Sequence, residues 1–478
     1  MWRSARHVRG LAMLLAAACA LVCGAAGSTY KDGRVVFSYL PVQRTLSNPQ
    51  WSSLTHASIA FAYTSEAGEI SFIGNVVNST ATSDQNARAF IADGQKNGVK
   101  MLGAVGGQGN FSNHLGAAMR SSSSRAAFVS NAVDFVKAYG LDGLDVDWEY
   151  PGDLDDASAL LSTLQALRAA FESSFGKGKK QLTTTLYNHP YLGPEVPAVN
   201  YKPYADAVDY GLVMSYDYFG SWADYTAPNA PFLDVPFYPG SFRNTTDAWL
   251  DAGWPASKLV AGLAFYGHSS LASTNMMTNA TDQYVAISNH TSIEGPVSGI
   301  AGTWTWRDLR EPKGGALTDP STAGPGWTRT WDSNTMTPWL FRASDGLYIG
   351  YDDKDSLGIK MDYSLRKKLA GVMIWEMGYD YQNELLSYVR DFITQVDDGS
   401  EPSNCVPSDA ELDNIYDKSR DPNFFNRRAV AGAVRSAVDA SAPICSFDGV
   451  HEASAAPVPA AWPSAAAVAL GAALLAAL

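Results

Sequence analysis

The chain has 478 residues, a formal net charge of −13 and a pI near 5.0. Such acidity argues against nucleic acid or an anionic membrane surface as the main partner, since like charges repel. The length exceeds one small domain, and a unit of roughly 300 residues buries about three quarters of its unfolded surface, so one large core is feasible. Arg3, Arg6 and Arg9 precede an apolar run over 11–22 that is too short to span a bilayer, and small residues follow. This pattern predicts a secretory leader over 1–27, cut between Ala25 and Ser28. After it, β-branched and apolar runs predict strands over 35–40 and 56–63. A helix over 83–97 follows, with Ala87, Phe90 and Ile91 as its apolar stripe and Gly98 as its stop. The third strand covers 100–105 and ends in Gly106 and Gly107. Phe128, Ala132, Phe135 and Val136 give a helix over 124–139 its inward face, and a strand within 141–151 comes next. A helix over 155–175 leads to strands over 181–187, 210–215, 258–265 and 371–375.

Eight strands separated by helical stretches predict an α/β protein, a (β/α)8 TIM barrel. A doubly wound open sheet shares that alternation; the strand count, and the polar residues at strand C-terminal ends, favour the barrel. The barrel domain is expected over 28–395, with a small α+β insertion after strand seven at about 269–346. Residues 396–450 read as a polar appendix. Cys19 and Cys23 leave with the leader, so Cys405 and Cys445 remain and are expected to bridge each other. Sequons stand at Asn78, Asn110, Asn244, Asn279 and Asn289; each is weak alone, and with a leader they suggest a glycosylated surface protein. Within 451–478, small residues around Ser454, a Pro/Ala-rich spacer and an apolar end form the pattern of a GPI-anchor signal. A short tail anchor is the alternative.

The strand within 141–151 is the informative one. With a period of two, Leu144, Val146 and Trp148 share one face, and Asp145, Asp147 and Glu149 share the other. Three carboxylates in step repel one another and lose hydration when buried, so folding alone does not favour them. Edge strands are usually blunted by Lys or by mixed charges rather than by three acids. A carboxylate site at the C-terminal end of a barrel strand is the sharper reading.

Asp142-x-x-Asp145-x-Asp147-x-Glu149 resembles the DxxDxDxE signature of glycoside hydrolase family 18, the chitinase family. Met214-Ser215-Tyr216-Asp217 is similar to that family's MxYD. Residues 259–267 resemble its strand-seven motif. Tyr351, Asp352, Asp353, Ser356 and Lys360, followed by Gly371 to Trp375, resemble its last βα unit. Tyr39 sits where the first strand supplies a tyrosine. The likeness runs in order over about 35–381.

The resemblance implies a secreted chitinase acting on β-1,4-linked N-acetylglucosamine polymers with retention, the substrate's own N-acetyl oxygen serving as nucleophile. Glu149 would be the general acid/base, its proton held by crowding among neighbouring acids. Asp147 would bond the acetamide N–H and Glu149 in turn, and Asp145 would share a proton with Asp147. Tyr216 would bond the acetamide oxygen, Asp217 the sugar or Glu149, and Trp375 would floor the reacting ring. Met214, Tyr150 and Trp222 are further groove candidates, and Asp142, of opposite parity, is expected to serve structure. The 13 Trp and 23 Tyr suit a groove that stacks pyranose rings, although a large core accounts for them equally. Two positions depart from the family pattern. Ala104 replaces the hydroxyl residue of an SxGG motif, which costs Asp145 a partner. His268 replaces an arginine and has no obvious partner, so a packed or exposed role is expected for it. No metal or other cofactor is implied, because no Cys/His spacing fits one. The expected state is a monomer with no nucleic-acid partner, meeting a membrane only through a lipid anchor. A chitinase-like lectin and an endo-β-N-acetylglucosaminidase acting on N-glycans are the alternative readings.

Overall fold

Stretches rich in Val, Ile, Leu, Ala and Gly form the centre of the molecule. In chain order they are β1 Val35–Pro41, β2 His56–Thr64, β3 Lys100–Gly107, β4 Gly143–Trp148, β5 Gln181–Leu186, β6 Tyr210–Val213, β7 Leu259–Ala264 and β8 Gly371–Trp375. The computed structural model describes residues 33–43, 46, 49–72, 81–191, 200–278 and 282–397. Each of the eight strands pairs in parallel with the next, and β8 pairs back onto β1. The ladder is therefore closed and leaves no barrel strand with a free edge. Both faces of these strands are covered, one by the barrel interior and one by helices. That is why β7, Leu-Val-Ala-Gly-Leu-Ala, is apolar without alternation and buried throughout. The predicted (β/α)8 barrel is the fold of the chain.

The helices start and stop where local chemistry allows. Ser122–Tyr139 is capped by the Ser121 hydroxyl, which accepts from Ser124 N, and ends at Gly140 in the left-handed region. Leu154–Phe175 is capped by the Asp153 carboxylate accepting from Asp156 N. Ala81–Lys96 stands where a helix over 83–97 is expected. Several of the described helices are absent from the expectations, and two of them matter here. Asn110–Arg120 follows β3 directly, and its buried Leu115, Ala118 and Met119 have helical spacing. Glu384–Asp397 closes the barrel with Leu385, Leu386, Val389, Phe392 and Ile393 buried.

Directly after β7 the chain leaves the barrel and builds a second, antiparallel sheet. Its strand order is Ile287–Asn289, Tyr266–Ala272, Leu347–Gly350, Thr337–Arg342 and Thr328–Asp332, and Thr303–Thr305 pairs onto Tyr266–Ala272. Among the described residues, a five-residue helix, Trp306–Arg310, accompanies it before the chain returns through Lys354–Arg366 to β8. A fully buried ion pair ties that return to the barrel: Lys360 Nζ donates to both Asp352 oxygens at 2.6 and 2.7 Å and to the Ala230 carbonyl at 2.6 Å. The expected leader over 1–27, Asn78, Asn279, Cys405, Cys445 and the tail over 451–478 lie outside the described residues.

Candidate active site

The C-terminal ends of the barrel strands converge on β4. Asp145 and Asp147 are buried, as are Leu144, Val146 and Trp148 on the opposite face. A close fit with β3 brings the acids in. Ala104 is paired with Asp145, and Gly106 with Asp147. Gly106 has φ near +100°, and a Cβ there would lie 2.0 Å from the Asp147 carbonyl oxygen, so only glycine allows the approach. A Cβ on Gly107 would lie 2.8 Å from the Phe61 ring.

Hydroxyl groups hold the acids. Asp145 Oδ2 accepts from Tyr39 OH at 2.7 Å, and its Oδ1 accepts from Thr183 Oγ1 at 2.6 Å. The partner lost at Ala104 is thus supplied by β1 and β5. Asp147 Oδ1 accepts from Thr185 Oγ1 at 2.5 Å. Thr183 and Thr185 escaped the sequence reading, yet their alternation along Thr183-Thr184-Thr185 beside an acid strand could have revealed them. Both Asp145 oxygens face these hydroxyls, and among the described residues no direct Asp145–Asp147 hydrogen bond accompanies them. Glu149 lies just past the strand. Its backbone N donates to Ser112 Oγ at 2.5 Å, and its Oε2 accepts from Tyr150 OH at 3.1 Å. Ser112 belongs to the helix that the sequence reading did not foresee.

Burial dominates the electrostatics. It raises Asp145 to about 6, against the opposing hydrogen bonds of Thr183 and Tyr39. Asp147 is pushed well above the ordinary carboxylate range, first by burial, then by the charges of Glu149 and Asp145. Glu149 is raised to about 7 by burial, with the Asp217 charge adding and the Tyr150 hydrogen bond opposing. Crowding was the expected cause for Glu149. Loss of solvent is the larger one, and the charge that adds to it comes from Asp217 rather than from its own strand.

Asp217 follows β6 with φ of 60°, in the left-handed region that a non-glycine residue seldom occupies. Its backbone N donates to Asn229 Oδ1 at 3.0 Å. Its Oδ1 accepts from Tyr266 OH at 2.6 Å and faces His268 Nε2 at 2.7 Å. His268 therefore has a partner, contrary to the sequence-based expectation. The contact spans 51 residues and depends on the second sheet, which sequence spacing did not reveal.

Aromatic side chains complete the mouth. Trp375 ends β8 with its ring centroid 5.1 Å from Tyr39 and 5.9 Å from Phe61. The Tyr216 hydroxyl is buried, lies 3.7 Å from Met373 Sδ, and makes no described bond to an acid. Met214 is buried beside it in the chain. The exposed Tyr150 ring lies 3.9 Å from Tyr187, and the exposed Trp222 ring lies 4.8 Å from His268. Asp142 stands apart, at the opposite end of β4. It accepts from Met101 N at 2.9 Å and Gln95 Nε2 at 3.0 Å, tying β3 and the helix Ala81–Lys96 to the chain entering β4. Asn110 and Asn289 are exposed, whereas Asn244 is half-buried with its Nδ2 facing Asp234 Oδ2 at 3.4 Å. Among the described residues, no three His, Cys, Asp or Glu side chains are grouped to hold a metal ion.

Comparison with known proteins gives this geometry its context. The model of the glycosyl hydrolases family 18 matches residues 28–380. A chitinase-like effector of Moniliophthora roreri is 28% identical over 381 residues, covering 72% of this chain and 88% of that protein. An endochitinase of Manduca sexta is 29% identical over 303 residues, and the match covers 59% of this chain but half of that longer protein. Among solved structures, a Rhizomucor miehei chitinase superposes with a TM-score of 0.65 and 29% identity, over 75% of this chain and all of that one. A Cycas revoluta chitinase, 24% identical, shares the fold with a TM-score of 0.63 over 75% of this chain and 99% of that one.

Proposed function

We propose that this chain, which belongs to glycosyl hydrolases family 18, hydrolyses β-1,4 linkages between N-acetylglucosamine units with retention at the anomeric carbon. One observation carries the reading: Glu149 is raised to about 7 beside two buried acids. A carboxyl group poised there keeps a proton at neutral pH and can give it up, which is what a general acid requires.

The sugar on the non-reducing side lies over Trp375, and Glu149 gives its proton to the glycosidic oxygen. The C1–O bond breaks as the N-acetyl oxygen of the same sugar attacks C1, so no protein carboxylate need act as nucleophile. Asp145 suits that scheme, because hydroxyls from Tyr39 and Thr183 already engage both of its oxygens. Asp147 accepts the acetamide N–H and offsets the positive charge that develops on the ring formed. The Tyr216 hydroxyl donates to the acetamide oxygen. Water then attacks C1 and passes a proton to Glu149, which restores the acid. The Cycas revoluta chitinase structure holds (GlcNAc)3, which supports this substrate class.

The test is chitohexaose with the unmodified protein. We expect short products whose first-formed anomer is β by proton NMR, with turnover falling above about pH 7 as Glu149 loses its proton. A second reading, sugar binding without turnover, is favoured by the likeness to the Moniliophthora roreri chitinase-like effector. Binding with no products would select it. The patterns over 1–27 and 451–478 support a secreted, lipid-anchored protein, which release by phosphatidylinositol-specific phospholipase C tests.

A further inference from the structure

We propose that Asn289 carries an N-linked glycan rooted at the rim of the cleft beside Trp222, where it hinders polymeric chitin more than short oligosaccharides. The inference rests on the hydrolase reading and on the secretory route that the pattern over 1–27 supports.

Three sequons lie among the described residues, and their surroundings differ. Asn244 is half-buried and its Nδ2 faces Asp234 Oδ2 at 3.4 Å. The Thr246 hydroxyl of that sequon is buried and donates to the Phe242 carbonyl at 2.8 Å. Asn110 is exposed, but the Ser112 hydroxyl of its sequon is buried and accepts from Glu149 N. Asn289, His290 and Thr291 are all exposed. Asn289 Oδ1 accepts from Thr291 N at 2.9 Å, and among the described residues no hydrogen bond engages its Nδ2. A bulky hydrated group on that nitrogen therefore displaces no described contact.

The bonds on either side of Asn289 place it against the cleft. It ends the strand Ile287–Asn289, the outermost of the second sheet, where it is opposite Leu271. Before it, Ile287 N donates to the Asp224 carbonyl at 2.9 Å, and Ala286 bridges to Tyr225. After it, His290 Nδ1 faces the Ser221 carbonyl at 2.7 Å, and the Ser292 and Ser221 hydroxyls are 2.7 Å apart. Trp222 lies between the anchor points Ser221 and Asp224, exposed, with its ring 4.8 Å from His268. The residues flanking Asn289 thus clamp the loop that presents Trp222.

The transfer balances with one donor, a lipid-diphosphate-linked oligosaccharide of the secretory route. Asn289 Nδ2 attacks C1 of its first sugar and the N–C1 bond forms. The C1–O bond to the diphosphate breaks, the amide releases one proton, and the lipid diphosphate leaves with the bonding pair. Thr291 supplies the hydroxyl that the sequon requires. The attached glycan sweeps the space beside Trp222, where it collides with a chitin surface and leaves room for a short chain.

The test makes the full chain in a eukaryotic secretory host, with Thr291→Val and Thr291→Ser beside it. Valine removes the hydroxyl and keeps the backbone N–H that bonds Asn289; serine keeps both. Glycopeptide mass spectrometry should find Asn289 occupied in the unmodified protein and in Thr291→Ser, and bare in Thr291→Val. Turnover of insoluble chitin relative to chitotetraose should rise roughly two-fold in Thr291→Val, since a barrier on one side removes about half of the approach directions. Turnover of chitotetraose should not change. A secreted protein bare at Asn289, or one occupied more at Asn244 than at Asn289, would overturn the proposal. So would an occupied Asn289 whose loss leaves the ratio unchanged. A protein kept in the cytosol would overturn the secretory reading and this proposal together. If the unmodified protein turns over nothing, the hydrolase reading fails instead; co-sedimentation with insoluble chitin then reads the barrier, as stronger retention of Thr291→Val, and equal retention overturns it.

Discussion

Replacing Glu149 by glutamine should stabilise the folded protein at pH 8 while removing its proposed chemistry. The carboxyl group is raised from 4.5 to about 7 on folding, mainly because burial penalises its charged form. A carboxyl that holds its proton more tightly when folded favours the fold at low pH. That contribution is complete below 4.5 and is lost as pH rises through about 7. At pH 8 the wild-type fold therefore carries a penalty on the order of 3 kcal/mol, and at pH 4.5 less than about 0.5 kcal/mol. Glutamine keeps the shape and has no charge to bury. Unfolding entropy is roughly 2.1 cal/mol/K per residue, which over residues 28–380 converts 3 kcal/mol to a Tm rise of about 4 °C. Calorimetric melting of both proteins at pH 8 and pH 4.5 measures it. The gap should open at pH 8 and nearly close at pH 4.5. Equal Tm values at both pH values, or the same gap at both, would refute the reasoning.

Other consequences follow from single contacts. Thr185→Val removes the 2.5 Å hydrogen bond to Asp147, so Asp147 should hold its proton still more tightly and kcat should fall roughly ten-fold with little change in Tm. Gly106→Ala places a methyl group 2.0 Å from the Asp147 carbonyl at a φ near +100°; a loss of about 3 kcal/mol or more is expected in denaturant unfolding. Lys360→Met should cost about 3–5 kcal/mol, because Asp352 is left buried and unpaired, and adding Asp352→Leu should recover most of it. A double variant as unstable as the single one would contradict that account.

The barrel was legible in the sequence because its signals are local. Leu144, Val146 and Trp148 alternate with the acids over one short strand, and Gly106-Gly107 marks the place where β3 approaches it. Two-residue parity also placed Asp142 apart from the acid row, where the structure has it. What remained hidden was long-range or fell within helices. The His268–Asp217 contact joins residues 51 apart through a second sheet whose short strands carry weak periodicity. Ser112 sits in the helix Asn110–Arg120, which the sequence reading passed over although Gly109 separates it from β3. The cause of the Glu149 shift could not come from spacing either. A row of acids suggests repulsion, whereas burial depends on everything folded above them.

The most direct measurement of the central claim is chitotetraose with Glu149→Gln, followed by calorimetric binding and by turnover. The account predicts wild-type-like affinity together with a rate lowered by at least about 100-fold, the scale set by removing a general acid. Hydrolysis near the wild-type rate by that variant would contradict it.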